Sequence, residues 1–491
     1  MAYIGSLVWL IVGAALLGVV LRTPMSPLAW LALTFLLHAS RSLPGMAALP
    51  WTWLALYAAL LFGRRDIPVS GPAHYAIVAF VAVTLTLPFV LDRLAAARLG
   101  PLGSTLVFPL AWVAAEFLQS RFASGATWGS IAYTQYGYLP LMQVAAFVGI
   151  WGITFLIAWF AATVDLAWGH GFDWSVVRTP AVTYAAVFGA VVLGGSVRLA
   201  FATTERASMR VATVNRPFDL FVPGEMTRVA EDSMTPEEGP RLAVKLTRLQ
   251  DWFLERSRAE ARAGTRLVAW PEQNLLIFAE DEPAFLARAQ ALARDERVYL
   301  AMGMGTVHRG ATPPFENKLV VIDPAGTIIV SYHKSHPVPG WEASIIRRGD
   351  GHLPVVATPD GRIAGAICFD DAFPEFVRQA GRGNADLLII PANEWKAIKT
   401  VHAQMAAFRA VENGVALVRP AASGLSTAVD PWGRLLGVAD YFAPGDRTMV
   451  AQVPVGGFRT LYARTGDLFA WLCVAGLVVS VGVAAFMPRA S

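Results

Sequence analysis

Three side chains in the polar half of the sequence have types that combine into one reaction. Glu272 closes the run Val268-Ala-Trp-Pro-Glu272. Lys334 stands in Tyr332-His-Lys-Ser-His-Pro-Val-Pro-Gly-Trp-Glu342, and Cys368 in Gly365-Ala-Ile-Cys-Phe-Asp-Asp-Ala-Phe-Pro-Glu375. A thiol attacks as its thiolate, so it needs a group to take its proton. A carboxylate can do that, the thiolate can add to a carbonyl-like carbon, and an ammonium can hold the negative charge that develops on oxygen. Each residue alone has an ordinary reading: a solvated loop carboxylate, a surface lysine and a buried inert cysteine. Lys334 stands out because the region around it is rich in arginine, and lysine is the cation whose proton affinity a site can tune.

Each of the three follows a strand-like run, and α/β sites gather at the carboxyl ends of strands. The strand-like runs are Val211–Asn215, Arg266–Trp270, Val298–Met302, Leu319–Asp323, Ile363–Ile367 and Asp386–Ile390. Amphipathic helical patterns cover about 236–263, 281–296 and 400–413. Pro324-Ala-Gly326 and Pro359-Asp-Gly361 are turn signals. Mixed strands and helices in one region predict a layered α/β domain. Cys368 precedes a helix-like segment, Phe376 to Ala380, so the helix dipole can favour its thiolate. Asp370 and Asp371 oppose that unless they cap the helix.

The rest of the chain predicts a membrane. Of 491 residues, 55% are hydrophobic and only 15% charged, against about 25% charged in soluble proteins; the mean hydropathy is +0.48. A span needs about 20 mostly apolar residues. Runs at about 4–21, 25–39, 47–63, 74–94, 104–120, 141–168 and 180–202 give about seven spans, the second short and carrying His38. The first lacks a small-residue cleavage site and reads as a retained span. An eighth run, Leu468 to Met487, leads to Pro488-Arg489-Ala490-Ser491. The expected organisation is a bundle at 1–202, a catalytic domain at 203–464 and a closing helix at 465–491. Seven spans before the domain and one after put both termini on one side and the domain on the other. Arginine asymmetry is too weak to orient it. The net charge of +4 comes with no Lys/Arg block of the kind that binds nucleic acid. The two cysteines, Cys368 and Cys473, fall in different regions, so no disulfide is expected. His333, His336 and His402 lack metal-site spacing, and the chemistry needs neither metal nor cofactor.

The order Glu272, Lys334, Cys368 resembles the catalytic triad of the nitrilase (carbon–nitrogen hydrolase) superfamily, which implies an αββα sandwich. Glu342, eight residues beyond the lysine, matches a supporting glutamate of that superfamily, and Phe408-Arg-Ala-Val-Glu-Asn-Gly414 also looks like it. The bundle, the nitrilase-like domain and the closing span together resemble the apolipoprotein N-acyltransferase family. Gly125 to Gln135, Asn317, the Asp323–Gly326 turn, the run Lys334, His336, Val338-Pro339, Glu342, and Tyr462-Ala-Arg-Thr-Gly-Asp467 carry that resemblance.

The resemblance implies an α-helical membrane bundle of about eight spans carrying the sandwich domain, in the bacterial inner membrane with the domain on the periplasmic side. It implies transfer of a fatty acyl chain from a phospholipid, through a Cys368 thioester, to the N-terminal amine of a diacylated lipoprotein. The sequence departs from the family at several points. Phe369 replaces a tyrosine, and Asp370 replaces a glutamate and is common in soluble amidases. Asn393-Glu-Trp-Lys396 replaces an aromatic–glycine loop. Pro337 and Gly340-Trp341 reshape the lysine loop, and Val214–Pro217 lacks a glutamine–glycine–asparagine signature. Trp341, Phe369, Asp370 and Trp395 are the expected substrate contacts, with the Asn393–Lys396 charges at the substrate mouth. Two other readings share the chain: a membrane-anchored nitrilase-type amidase or hydrolase with water as acceptor, and a membrane scaffold whose nitrilase fold is inactive.

Overall fold

A computed structural model of the chain describes residues 2–23, 25–65, 72–202, 207–216, 228–229, 233–235 and 237–487. Thr203, Pro217 and the tail Pro488–Ser491, all invoked above, lie outside the described residues. The chain divides into two compact units, one of Met1–Ala202 with Arg464–Ser491 and one of Thr203–Ala463.

The first unit is helical. Its long helices are Ala2–Arg22, Ser26–Ser42, Ala48–Gly63, Pro72–Ala95, Pro101–Phe122, Trp151–Gly169, Trp174–Ala200 and Leu468–Phe486. Among the described residues six are long and apolar enough to cross a membrane; Ser26–Ser42 and Ala48–Gly63, at 17 and 16 residues, fall below that length. The run around His38 is helical throughout. His38 Nδ1 lies 2.8 Å from Asp165 Oδ1, and Arg41 bonds both Asp165 (2.7 Å) and Asp92 (2.8 Å). Buried bundle charges are thus paired, as a low-dielectric interior demands. The expected single span at 141–168 is interrupted. Leu139–Met142 and Ala145–Val148 are single turns, Gly149 takes φ +68, and only then does Trp151–Gly169 run straight. A left-handed glycine ends a helix, a break that the apolar composition of the run conceals.

The second unit is built on strands β1 Ser208–Thr213, β2 Leu267–Phe278, β3 Tyr299–Val307, β4 Phe315–Ile322, β5 Ile328–His333, β6 Ile346–Arg347, β7 Val355–Thr358, β8 Gly361–Gly365, β9 Leu387–Ile389, β10 Ala392–Asn393, β11 Ala416–Arg419, β12 Ala421–Ala422, β13 Leu425–Val429, β14 Leu435–Asp440 and β15 Met449–Pro454. One sheet has the order β15-β1-β2-β3-β4-β5, with β6 on β4. The other has the order β14-β13-β11-β9-β8-β7, and β10 pairs with β12. Helices Glu238–Arg262 and Glu282–Glu296 cover the first sheet. Leu242, Leu246, Leu249 and Phe253, at helical spacing, pack with Trp270, Phe285 and Leu300 in one core. Helix Lys399–Asn413 packs on the second sheet, with Pro374–Arg382 against that helix. Sheet on sheet with helices outside is the αββα sandwich.

Candidate active site

Glu272 does not end its strand as the sequence suggested. β2 continues to Phe278, but its pairing with β3 jumps from Trp270↔Met302 to Leu275↔Met304. Pro271–Asn274 therefore bulge opposite Gly303 alone, with Gln273 at φ +48. Gly303 makes this possible: a Cβ there would lie 2.3 Å from Pro271 O and 2.8 Å from Glu272 Cα. The bulge turns the Glu272 carboxylate, 3% exposed, into the interior. Its Oε1 accepts from Lys334 Nζ (2.8 Å) and Asn317 Nδ2 (2.6 Å), and its Oε2 accepts from the Asn393 amide (2.8 Å).

Lys334 follows the last residue of β5, its amide donating to Asn317 O at 2.9 Å. Its Nζ bonds Glu272 and both oxygens of Glu342, at 2.8 and 3.0 Å. Glu342, in the first turn of the short helix Trp341–Ile345, also accepts from the Val338 amide at 2.5 Å. Burial alone would strip the Lys334 proton. Glu272, Glu342 and Cys368 outweigh it and hold the ammonium well above the ordinary lysine range.

Cys368 opens the 3-10 turn Cys368–Ala372 three residues past β8. It takes φ +47, a left-handed conformation rare for a side-chain-bearing residue and costing about 1–3 kcal/mol. Its amide donates to Pro391 O (2.8 Å), and its Sγ donates to Asn393 O at 3.8 Å. Burial pushes the thiol well up, and the charge of Glu272 adds to this. Lys334 and Arg419 pull the other way. The upward pull prevails, so the resting group is a thiol.

The other expected contacts divide. Trp341 is exposed (56%) and Trp395 half-buried, while Phe369 is buried with its ring edge-on to Phe373 at 5.5 Å. Asp370 is fully buried, with its bonds inside the protein. Oδ1 accepts from the His336 amide (2.8 Å) and lies 2.9 Å from its Nδ1. Oδ2 accepts from Tyr332 Oη (2.7 Å) and the Ile367 amide (2.9 Å). Asp370 ties the lysine loop to the cysteine turn. Burial, and then the Asp370 charge, hold the Tyr332 phenol far above its ordinary range. Neither Asp370 nor Asp371 caps the following helix, which begins only at Pro374. Glu394, expected among charges at a substrate mouth, has a fully buried side chain paired with Arg419 at 2.6 Å. Arg419, His402 and Asp371 enter the site without having been singled out as functional. They look like surface charges, and only the fold brings them together. Among the described residues no group of three His, Cys, Asp or Glu converges as metal ligands.

Two family signatures match this chain, Carbon-nitrogen hydrolase over residues 240–462 and Apolipoprotein N-acyltransferase N-terminal domain over residues 12–163. The chain is similar to the apolipoprotein N-acyltransferase of Geobacter metallireducens, at 29% identity over 94% of this chain and 91% of the relative. It is similar to that of Bradyrhizobium diazoefficiens at 25% identity, over 87% and 78% respectively. A solved amidase from Nesterenkonia sp. is similar over 55% of this chain and 98% of its own, with 21% identity and a TM-score of 0.42. With both signatures in one chain and full-length relatives of one kind, the chain belongs to the apolipoprotein N-acyltransferase family of the carbon–nitrogen hydrolase superfamily.

Proposed function

We propose that this protein transfers a fatty acyl chain from a phospholipid to the α-amine of a diacylated lipoprotein, through a thioester on Cys368. The observation that carries the reading is the buried set of Cys368, Glu272 and Lys334, in a chain whose described residues also include six helices long and apolar enough for a membrane. In the first half-reaction Glu272 takes the thiol proton and sulfur adds to the ester carbon of the phospholipid. Lys334 Nζ bonds Glu272 and both oxygens of Glu342, and it turns one of these N–H groups to the oxyanion as that charge develops. The intermediate collapses, the C–O bond breaks, and Glu272 returns the proton to the departing lysophospholipid oxygen. In the second half-reaction the lipoprotein amine adds to the thioester, Glu272 removes its proton, and the C–S bond breaks to restore the thiol.

The two lipid substrates suit an enzyme with apolar helices. A chain that stays in the bilayer avoids about 0.8 kcal/mol for each methylene that would enter water. Membership of the family supports the bacterial inner membrane as its location, with the catalytic unit working on the periplasmic side. The internal bonds of Asp370 weaken its use as an argument for water as the acceptor, and the Asn393–Lys396 loop remains the feature behind that second reading. The test supplies phospholipid and a diacylated lipopeptide to wild type and Cys368→Ala and reads products by mass spectrometry. A triacylated amide made by wild type alone is expected. Free fatty acid as the sole product would replace this reading with a hydrolase.

A further inference from the structure

A second buried group of charges lies beside the cysteine turn and takes no part in the chemistry above. Asp371 belongs to that turn, Glu394 follows β10, His402 lies on the helix Lys399–Asn413, and Arg419 ends β11. All four side chains are at most 2% exposed. His402 Nε2 is 2.8 Å from Asp371 Oδ1, and its Nδ1 is 2.8 Å from Glu394 Oε1. Arg419 Nη2 is 2.6 Å from the same Glu394 oxygen, and its Nε is 3.6 Å from Asp371 Oδ2.

A neutral imidazole has one N–H and one bare lone pair. With a carboxylate oxygen 2.8 Å from each ring nitrogen, a neutral ring would hold its bare nitrogen, a negative pole, against an anionic oxygen. Protons on both nitrogens remove the conflict, and two cations then balance two anions. Burial lowers the proton affinity of the ring, but Asp371 chiefly, with Glu394, raises it further, against the opposition of Arg419; the net direction is up. These are the charged groups that face the ring, from the turn, the segment after β10 and β11.

The ring bridges the segments that carry the reacting groups. Asp371 is three residues from Cys368. Glu394 adjoins Asn393, whose carbonyl accepts from the thiol at 3.8 Å and whose amide donates to Glu272 at 2.8 Å. Gly424 leaves room for the Glu394 carboxylate, since a Cβ there would lie 2.1 Å from its Oε2.

We propose that His402 is a positioning residue carried as an imidazolium: by bridging Asp371 and Glu394 it fixes Asn393 against Cys368 and Glu272, and with Arg419 it keeps this four-residue group at zero net charge. This rests on Cys368 being the nucleophile. The test uses the full-length protein in lipid nanodiscs on a Cys473→Ala background, with iodoacetamide alkylation of Cys368 at pH 7 as the readout. His402→Gln leaves one net negative charge beside the thiol, and about one pKa unit, or tenfold slower alkylation, is expected. In the acyl-transfer assay kcat falls and KM for phospholipid holds. His402→Gln/Asp371→Asn restores neutrality and is expected to alkylate near the wild-type rate, which a purely structural ring would not produce. The proposal is overturned if His402→Gln alkylates like wild type, or if the double variant is slower than the single one. Should His402→Gln not accumulate, the charge-balanced double variant carries the test alone: wild-type-like alkylation supports the proposal, and its failure to fold or react overturns it. A wild-type Cys368 that does not alkylate at all overturns the nucleophile assignment, and this proposal with it.

Discussion

Replacing Glu272 by glutamine separates the base from the charge that shapes its surroundings. The amide has the same shape, yet it cannot reproduce the contacts. Oε1 accepts from Lys334 and Asn317 at 2.8 and 2.6 Å, and Oε2 accepts from the Asn393 amide at 2.8 Å. All three partners are donors, and glutamine offers one acceptor oxygen and one NH2. With the NH2 toward Asn393 one bond is lost, and with it toward Lys334 and Asn317 two are lost. A bond to a charged group contributes about 1.5–3 kcal/mol. Lys334 keeps Glu342, so the larger penalty of a stranded buried charge, about 3–5 kcal/mol, is avoided. The expected stability loss is about 2–3 kcal/mol, seen as a lower melting temperature. Loss of the base should cut turnover by about 10²–10⁴. The thiol should respond in the opposite sense. The Glu272 charge helps push Cys368 up, so removing it lowers the thiol pKa and enlarges the thiolate fraction at fixed pH. Iodoacetamide should therefore alkylate Cys368 faster in Glu272→Gln, on a Cys473→Ala background, while phospholipid-to-lipopeptide transfer collapses. Transfer within tenfold of wild type, or alkylation slowed together with turnover in a folded protein, refutes the reasoning.

Asp370→Asn sets an NH2 against donors on one side of a fully buried group; a thermal melt should report a loss of about 2–4 kcal/mol. Gly303→Ala forces a methyl into the Pro271 carbonyl, so circular dichroism should keep the fold signal while turnover falls to the Glu272→Gln level. Trp341→Ala, at an exposed position, should shift stability by less than about 0.5 kcal/mol and raise KM for phospholipid without changing kcat, the signature of lost uniform binding. The folded Lys334 pKa lies well above its ordinary value, so the stability from this ammonium is complete below about pH 10 and is lost only as pH climbs through the raised value. Alkylation of wild-type Cys368 should still be accelerating above about pH 9, because its titration is displaced upward.

That Glu272, Lys334 and Cys368 gather in one buried cluster was legible because their types are informative and each sits near a strand. Their local conformations were not. Glu272 was read as a strand terminus, whereas it stands in a bulge that depends on Gly303 one strand away. Cys368 was read as preceding a helix over Phe376 to Ala380; that helix runs Pro374–Arg382, but a strained 3-10 turn, which the sequence did not show, holds the cysteine itself. Asp370 was read as a substrate contact, Asp371 as a candidate helix cap and Glu394 as a charge at a substrate mouth, since sequence shows charge but not the partner that permits burial. Their partners, His336, His402 and Arg419, lie 25 to 34 positions away for Asp370 with His336 and for Glu394 with Arg419, a separation that only the sandwich closes. In the bundle, apolar runs marked the helices well, but Gly149 interrupted one of them through a backbone angle that hydropathy does not register.

The central claim is a covalent acyl group on Cys368. Purified protein incubated with phospholipid of defined chain length, without lipopeptide, should be quenched in acid, digested and read by mass spectrometry. The account predicts one acyl chain in thioester linkage on the peptide containing Cys368, discharged when diacylated lipopeptide is added and absent from Cys368→Ala. Acyl transfer that persists in Cys368→Ala, or a wild-type Cys368 that stays unmodified while triacylated lipopeptide forms, would contradict it.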